Sequence, residues 1–276
     1  MKNELIYEEK LDYKYVVIVL VYRNIDDLKD CIESIKKNIE SSKIIVVNAY
    51  YDEMSKATIE RIAVDNECDF INIDNKGYSY GNNVGIRYAL YHYNFEYVII
   101  SNPDIIVKKF NNDNYENADV IAPRIIAADG KSQNPMYIKE HKFINKMMYF
   151  GFKKNIKIFV IAGIILNKLF RCIEFMFQGD GFEVFAAHGS FVILKKNVVE
   201  TINPLYDENM FLFAEECVLA SKCKKYGFKT VYDDKKHVLH KEDGSMKLAD
   251  FSINDELGKA NIYYYENYVN NINRVK

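Results

Sequence analysis

Three groups of residues in this chain stand where their types and spacing could do chemistry. The first is Asp104 in SNPDI, directly after a continuously apolar run. Pro103 fixes a turn there, so a carboxylate projects from the end of the run. A lone carboxylate in that position suits a hard cation such as Mg2+ or Mn2+, which keeps some water and takes its other ligands from phosphates. An Asp after a strand also serves simply as a turn residue, and the run alone leaves both readings open. The second group is the pair Glu215–Glu216 in FAEEC, two acids at a helix start, where the positive end of the helix dipole favours them. The third is DNKGYSYGNNVGIRYAL, residues 74 to 90, with Gly77, Gly81, Asn82, Asn83 and Gly85 inside nine positions. Such a stretch either turns the backbone tightly or lets it approach something closely. Its glycines fit neither G-x-G-x-x-G nor G-x-x-x-x-G-K-S/T, so neither a dinucleotide fingerprint nor a P-loop is supported.

The elements that must position these groups alternate between two periodicities. YKYVVIVLVY, ending at Tyr22, is β-branched and continuously apolar, the pattern of a strand buried on both faces. IDDLKDCIESIKKNI follows, with Ile25, Leu28, Ile32, Ile35 and Ile39 at helical spacing. KIIVVNAY predicts a second strand, MSKATIERIAVDN a second helix and CDFINI a third strand. After the glycine stretch, NVGIRYALYHYN predicts a third helix and EYVIIS a fourth strand. Strands and helices alternating at these intervals predict an α/β fold with a mostly parallel, Rossmann-like sheet and right-handed crossovers. Ligands of such sheets bind beyond the carboxyl ends of the strands. Tyr22–Asn24, Asn48–Asp52, Asp74–Asn83 and Asn102–Asp104 all fall at such ends, which predicts a nucleotide crevice there.

Composition narrows the classes further. With 276 residues, 49 % of them apolar, the chain can bury a full core as one large domain or one domain with an insertion. Its 37 basic and 39 acidic side chains leave a net charge of −2, which argues against a nucleic-acid partner. Five cysteines without CxxC spacing argue against a zinc site or disulfide framework and for a reducing compartment. The charged start MKNELIYEEKLDYKY lacks an apolar signal region, and no apolar run reaches the length of a membrane span. The expected location is therefore cytoplasmic, or peripheral on the cytoplasmic face of the plasma membrane.

Five motifs together carry a resemblance. NKGYSYGNNVGIRYA, YVIISNPDI, GSFVILKKN, YDENMFLFAEECVLASKCKKYGFKTVYD and VLHKEDGS follow one another between about residues 14 and 245. In that order they resemble the family 2 glycosyltransferases of the GT-A fold, particularly bacterial rhamnosyltransferase-like members. The resemblance implies an inverting, metal-dependent transfer of rhamnose or a hexose from a dTDP- or UDP-sugar. The implied acceptor is a hydroxyl of a glycan or polyprenyl-diphosphate-linked molecule in bacterial surface polysaccharide synthesis. NPD stands where many GT-A enzymes carry D-x-D, so Asp104 is implied as a ligand for Mg2+ or Mn2+, with Asn102 replacing the first acid. His240 matches a histidine that completes the metal or diphosphate site; a lone histidine without that match reads as structural. Glu216 takes the place of the family's general base, usually Asp, and Glu215 is the fallback. Asn48 replaces the usual Asp of the base pocket, Asp52 lies just beyond, and Tyr22 is placed to stack on the base or to join the core. Asn75 opens the glycine stretch; Gly77 and Gly81 are expected to let the backbone approach the donor, Asn82 and Asn83 to offer amides to it, and Gly85 to pack helix on sheet.

The expected organisation is a GT-A domain over 1–245, with a nucleotide-sugar half at 1–126, a helical insertion at 141–180 and an acceptor half at 186–245. A C-terminal helical segment follows at 246–276, serving packing or self-association as a homodimer. Residues 142 to 178 hold six Lys and one Arg against one Glu, a net of +6, around the apolar run IFVIAGIIL. That combination suits a helix at a membrane surface or a helical pair packed on the domain with solvated lysines. Two rival functions remain: an inactive relative that binds membrane or a partner, and a sugar nucleotidyltransferase. The latter needs a basic Gly-rich loop after the first strand, and VYRNIDD lacks one.

Overall fold

The computed structural model describes residues 10–111, 116–179, 181–242 and 252–270. The first half alternates as the sequence predicts: β1 (Leu11–Val21), α1 (Asp26–Asn38), β2 (Ser42–Tyr50), α2 (Glu53–Asp65), β3 (Asp69–Asp74), α3 (Tyr78–His92) and β4 (Tyr93–Ser101). Then come β5 (Ile105–Lys109), β6 (Val120–Ala127), α4 (Lys142–Lys153) and α5 (Lys157–Met176). The last part contains β7 (Glu183–Val184), β8 (Phe191–Lys195), α6 (Lys196–Thr201), α7 (Glu215–Tyr226), β9 (Thr230–His240) and α8 (Ile253–Tyr264), which runs into a π-helical turn at Tyr265–Val269.

The strands form one sheet in the order β3-β2-β1-β4-β8-β6-β9-β5, with β7 pairing to β9. β3, β2, β1 and β4 are parallel throughout, and β6 and β9 run with them; β8, β5 and β7 oppose. The sheet is therefore mostly parallel. Alternation along β1 explains its apolar sequence, because it faces two cores. Val17, Val19 and Val21 join Leu28, Ile32 and Ile35 of α1 on one side. Val16 and Ile18 join Ile86 and Ala89 of α3, with Leu219 and Cys223 of α7, on the other. Each fully buried aliphatic side chain contributes about 1.5–3 kcal/mol, so this strand is anchored from both sides.

Two helix starts differ from a simple reading of the sequence. Asp52 caps α2: its Oδ1 accepts the Ser55 amide at 2.7 Å, which holds the carboxyl below its usual range. α3 begins at Tyr78 rather than near Asn83, so Gly81, Asn82 and Asn83 lie inside its first turns. The reason is packing. A Cβ on Gly81 would overlap the Leu20 side chain, and one on Gly85 would press into Ile18, so both glycines let the helix sit close on β1.

Candidate active site

Two of the candidate residues meet where the parallel strands end. Asp104 follows β4 and is buried at 3 % exposure, and its Oδ1 accepts no hydrogen bond. Facing it at 3.3 Å is Nε2 of His240, the last residue of β9. The tautomer of that ring follows from its neighbours. Gln133 donates its amide Nε2 to Glu242 at 2.6 Å, which turns its Oε1 toward His240 Nδ1 at 2.8 Å. Nδ1 therefore carries a proton, and in that tautomer of the neutral ring the lone pair of Nε2 points at the Asp104 oxygen. Two acceptors face to face need a cation or an added proton between them. This oxygen-plus-imidazole pair, with its ring oriented from behind by Gln133, fits a divalent metal such as Mn2+ or Mg2+. Among the described residues no cluster of three His, Cys, Asp or Glu side chains forms, so a cation held here draws further ligands from substrate oxygens and water.

A three-residue stretch before β8 connects this pair to the acidic pair. The His188 ring packs edge-on against His240 at 5.7 Å. Burial, and then the neighbouring His240 ring, pulls the His188 imidazole down to about 4, so it is neutral near pH 7. Its amide is held by Asn134 Oδ1 at 2.7 Å, and its Nδ1 lies 2.9 Å from Ser190 Oγ. The Gly189 amide donates to Glu216 Oε1 at 3.2 Å, while its carbonyl accepts the Tyr78 hydroxyl at 2.7 Å. A Cβ on Gly189 would stand 2.9 Å from the same Glu216 oxygen, so only glycine leaves that carboxyl its place. Ser190 accepts the Asn102 amide at 2.9 Å, closing the link back to the NPD turn.

The two acids are not equivalent. Both open α7, after Phe213 and Ala214, which adopt left-handed backbone angles (φ 74° and 60°). Such strain in non-glycine residues concentrates at functional sites. Glu215 is buried at 4 % exposure, its Oε1 lacks a partner, and burial followed by the Glu216 charge pushes its carboxyl up to about 8. Glu216 keeps partial exposure; burial raises its carboxyl as well, opposed by backbone donors including Gly189.

The other expected donor contacts divide. Tyr22 is half-buried and packs edge-on against Tyr51 at 6.0 Å, whose exposed ring carries Arg23 at 4.0 Å. Asn75 accepts the Gly77 amide at 3.2 Å. The tight space at Gly77 comes from the chain itself: φ is 96°, and a Cβ would overlap the Phe211 carbonyl, which accepts the Tyr78 amide at 2.8 Å. Asn83 is buried and spends its side chain on Tyr206 and Glu208, at 2.9–3.0 Å. Asn82 is fully buried with its amide donated to Tyr78. Asn48 is buried against Asn72 at 2.7 Å. The immediate neighbours of Gly77, Gly81 and Asn83 are protein atoms, because α3 packs tightly on β1 and on the 206–211 segment, while the Asn82 Oδ1 is buried without a hydrogen-bond partner.

Sequence reasoning passed over His188, Gln133 and Gly189. The only sequence signal for them is position, HGSF immediately before an apolar strand and GKSQNP after another. A cavity of about 450 Å³ opens beside His188 and Gln133, walled by Tyr137, Met148, Ile164, Lys168 and Arg171. The basic insertion therefore forms one wall of the site.

Comparison with known proteins defines the class first. The fold is shared with GalNAc-T7 solved with UDP, GalNAc and Mn2+, at a TM-score of 0.57 and 12 % identity over 85 % of this chain and 44 % of that one. It is shared also with mannosyltransferase PcManGT from Pyrobaculum calidifontis in complex with GDP-Man and Mn2+, at 0.51 and 11 % over 91 % and 70 %. The architecture is thus that of the GT-A glycosyltransferases. Among individual proteins, the low-salt glycan biosynthesis hexosyltransferase Agl10 of Haloferax volcanii is 26 % identical over 221 residues. That match covers 76 % of this chain and 61 % of the relative's length, so the chain spans about three-fifths of it. No family model matches.

Proposed function

We propose that the protein is a hexosyltransferase that moves a sugar from a nucleoside-diphosphate donor to an acceptor hydroxyl with inversion. The observation that supports this best is the continuous set of contacts from Asp104 through His240, His188 and Gly189 to Glu216. That set links a pair suited to a cation, next to the strand ends, with a carboxylate at the start of α7.

Glu216 takes the proton of the acceptor hydroxyl, whose oxygen forms a bond to the anomeric carbon. The bond from that carbon to the diphosphate oxygen breaks, and the diphosphate leaves with the electron pair. Asp104 and His240 would hold a divalent cation, which would supply positive charge to stabilise the departing diphosphate. Gly189 orients Glu216 through its amide, and Glu215, neutral while protonated, adds no competing charge beside it. Tyr22, Asn75 and Asn102 remain the candidates for donor contact, with Tyr51 and Arg23 beside Tyr22 as a platform for the base. A hexose donor, a class that includes the 6-deoxyhexose rhamnose, is supported by the hexosyltransferase relative at 26 % identity. The acceptor belongs in the cavity walled by Tyr137 and Arg171, as the hydroxyl of a glycan, free or lipid-linked.

The test is donor turnover with UDP-, GDP- and dTDP-hexoses in Mn2+ or Mg2+, alongside nucleotide binding by calorimetry. One donor is expected to be consumed, and EDTA to abolish turnover. Asp104→Asn should weaken binding of the nucleoside diphosphate in the presence of metal, and Glu216→Gln should keep binding while lowering kcat about 10²- to 10⁴-fold. Failure of every nucleoside diphosphate to bind the folded protein would end this assignment.

A further inference from the structure

A helix on a globular surface normally turns its apolar stripe inward. α5 turns a second aliphatic side outward. Of its twenty residues only Gly163 is buried, at the crossing where a Cβ would overlap Met148 of α4. Ile158, Ile161, Ile165, Leu169 and Met176 recur along one side, with exposures from 50 % at Leu169 to 73 % at Met176. The polar residues lie on the other side. Asn167, Lys168 and Arg171 line the cavity, and Glu174 stands 3.0 Å from His141. Toward the domain the helix mixes these polar groups with Val160, Phe170 and Phe175, and toward the outside it is aliphatic. An apolar surface of that extent marks a docking site.

Charge selects the occupant. The segment from 142 to 178 carries six Lys and one Arg against one Glu, a net of +6. At the turn between α4 and α5, exposed Lys154 and Lys157 flank exposed Ile156 and Ile158. A second copy would set two such basic surfaces against each other, whereas anionic headgroups meet them with opposite charge. No described helix is long and apolar enough to cross a membrane, so the matching geometry is a helix of about 30 Å lying in the interface plane.

We propose that the α4–α5 hairpin seats this protein on an anionic lipid bilayer, with the aliphatic side of α5 among the acyl-chain ends of the headgroup region. The seating also orients the site. Ile164 and Lys168 belong to both the docking helix and the cavity wall, so the cavity opens beside the lipid, where an amphiphilic acceptor is presented. Docking itself does not depend on the transferase assignment.

Flotation of the full chain with phosphatidylcholine vesicles, and with vesicles also containing phosphatidylglycerol, tests it directly. Binding to the anionic vesicles is expected to be at least about tenfold tighter and to weaken with salt. Ile161→Asp with Ile165→Asp should abolish flotation, and Lys154→Glu with Lys157→Glu should reduce it on anionic vesicles. Circular dichroism should stay native in both variants, because the four side chains are exposed. Absence of binding by folded protein, or equal binding to both vesicle types, would overturn the proposal. So would a stable dimer in sedimentation velocity that Ile161→Asp with Ile165→Asp dissociates.

Discussion

Glu215 and Glu216 share one helical turn, yet the protein treats them differently. Glu215 has no partner for its Oε1 and ionises only near pH 8, whereas Glu216 has the Gly189 amide and a route to the crevice. Their protons belong to the pair, so removing one charge should move the other. In Glu216→Gln the Glu215 carboxyl is expected to ionise at lower pH in an NMR titration, because it no longer ionises beside a charged Glu216. A Glu215 uncoupled from Glu216 would titrate unchanged. Stability should report the same linkage with a definite sign. Unfolded, the Glu215 carboxyl ionises near 4.5; folded, it does so at about 8. The folded state then binds the extra proton, so wild-type stability should fall as pH rises between those values. Melting temperatures across pH 5 to 8 should fall less steeply for Glu215→Gln.

At the scale of elements, the glycine-asparagine stretch works as a joint. α3 lies on β1 through Gly81 and Gly85, and its first turn is tied to the 206–211 segment that leads into α7. Asn83→Ala would strand the Tyr206 backbone amide and carbonyl in a buried place, at a cost of about 2–3 kcal/mol in urea denaturation. Gly77→Ala should cost at least as much, because the positive φ adds strain of about 1–3 kcal/mol to the overlap with Phe211. Since Phe211 precedes the strained Phe213–Ala214 turn, Gly77→Ala should also lower kcat, whereas a loop that only touched the donor would raise KM.

Over the whole molecule, α8 braces α7, the helix that begins with Glu215 and Glu216. α8 and the turn after it pack Ala260, Tyr264 and Val269 against Met210 and Val218, forming a third core. Tyr263 and Tyr268 both donate to Asp207, at 2.9 and 2.6 Å. Asp207→Ala removes a shared acceptor and is expected to cost about 2 kcal/mol, a fall of roughly 4–8 °C in Tm by thermal denaturation. The C-terminal segment thus has a packing role within one copy of the chain; its residues 246–251 and 271–276 lie outside the described range, as do Asp243–Ser245 of the VLHKEDGS motif.

Much of this was already determined by the sequence. A strand that is apolar at every position from Tyr15 to Tyr22 must be covered on both faces, so that run implied helices above and below. The place of Asp104 beyond a buried strand followed from Pro103 and from the rule that parallel strands present their ligand sites at one end. Periodicity also located the α4–α5 pair and its charge. Tertiary structure alone decided the rest. Whether Gly77 and Gly81 meet a ligand or the chain itself depends on Phe211 and Leu20, which lie distant in sequence. Whether His240 faces Asp104 depends on strand pairing between β9 and β5, and its tautomer depends on Gln133 and Glu242. His188 and Gly189 join the two halves of the site only because β8 enters between β4 and β6. Local pattern fixes which side chains must be buried or exposed; which of them meet is settled by packing between segments far apart in the chain.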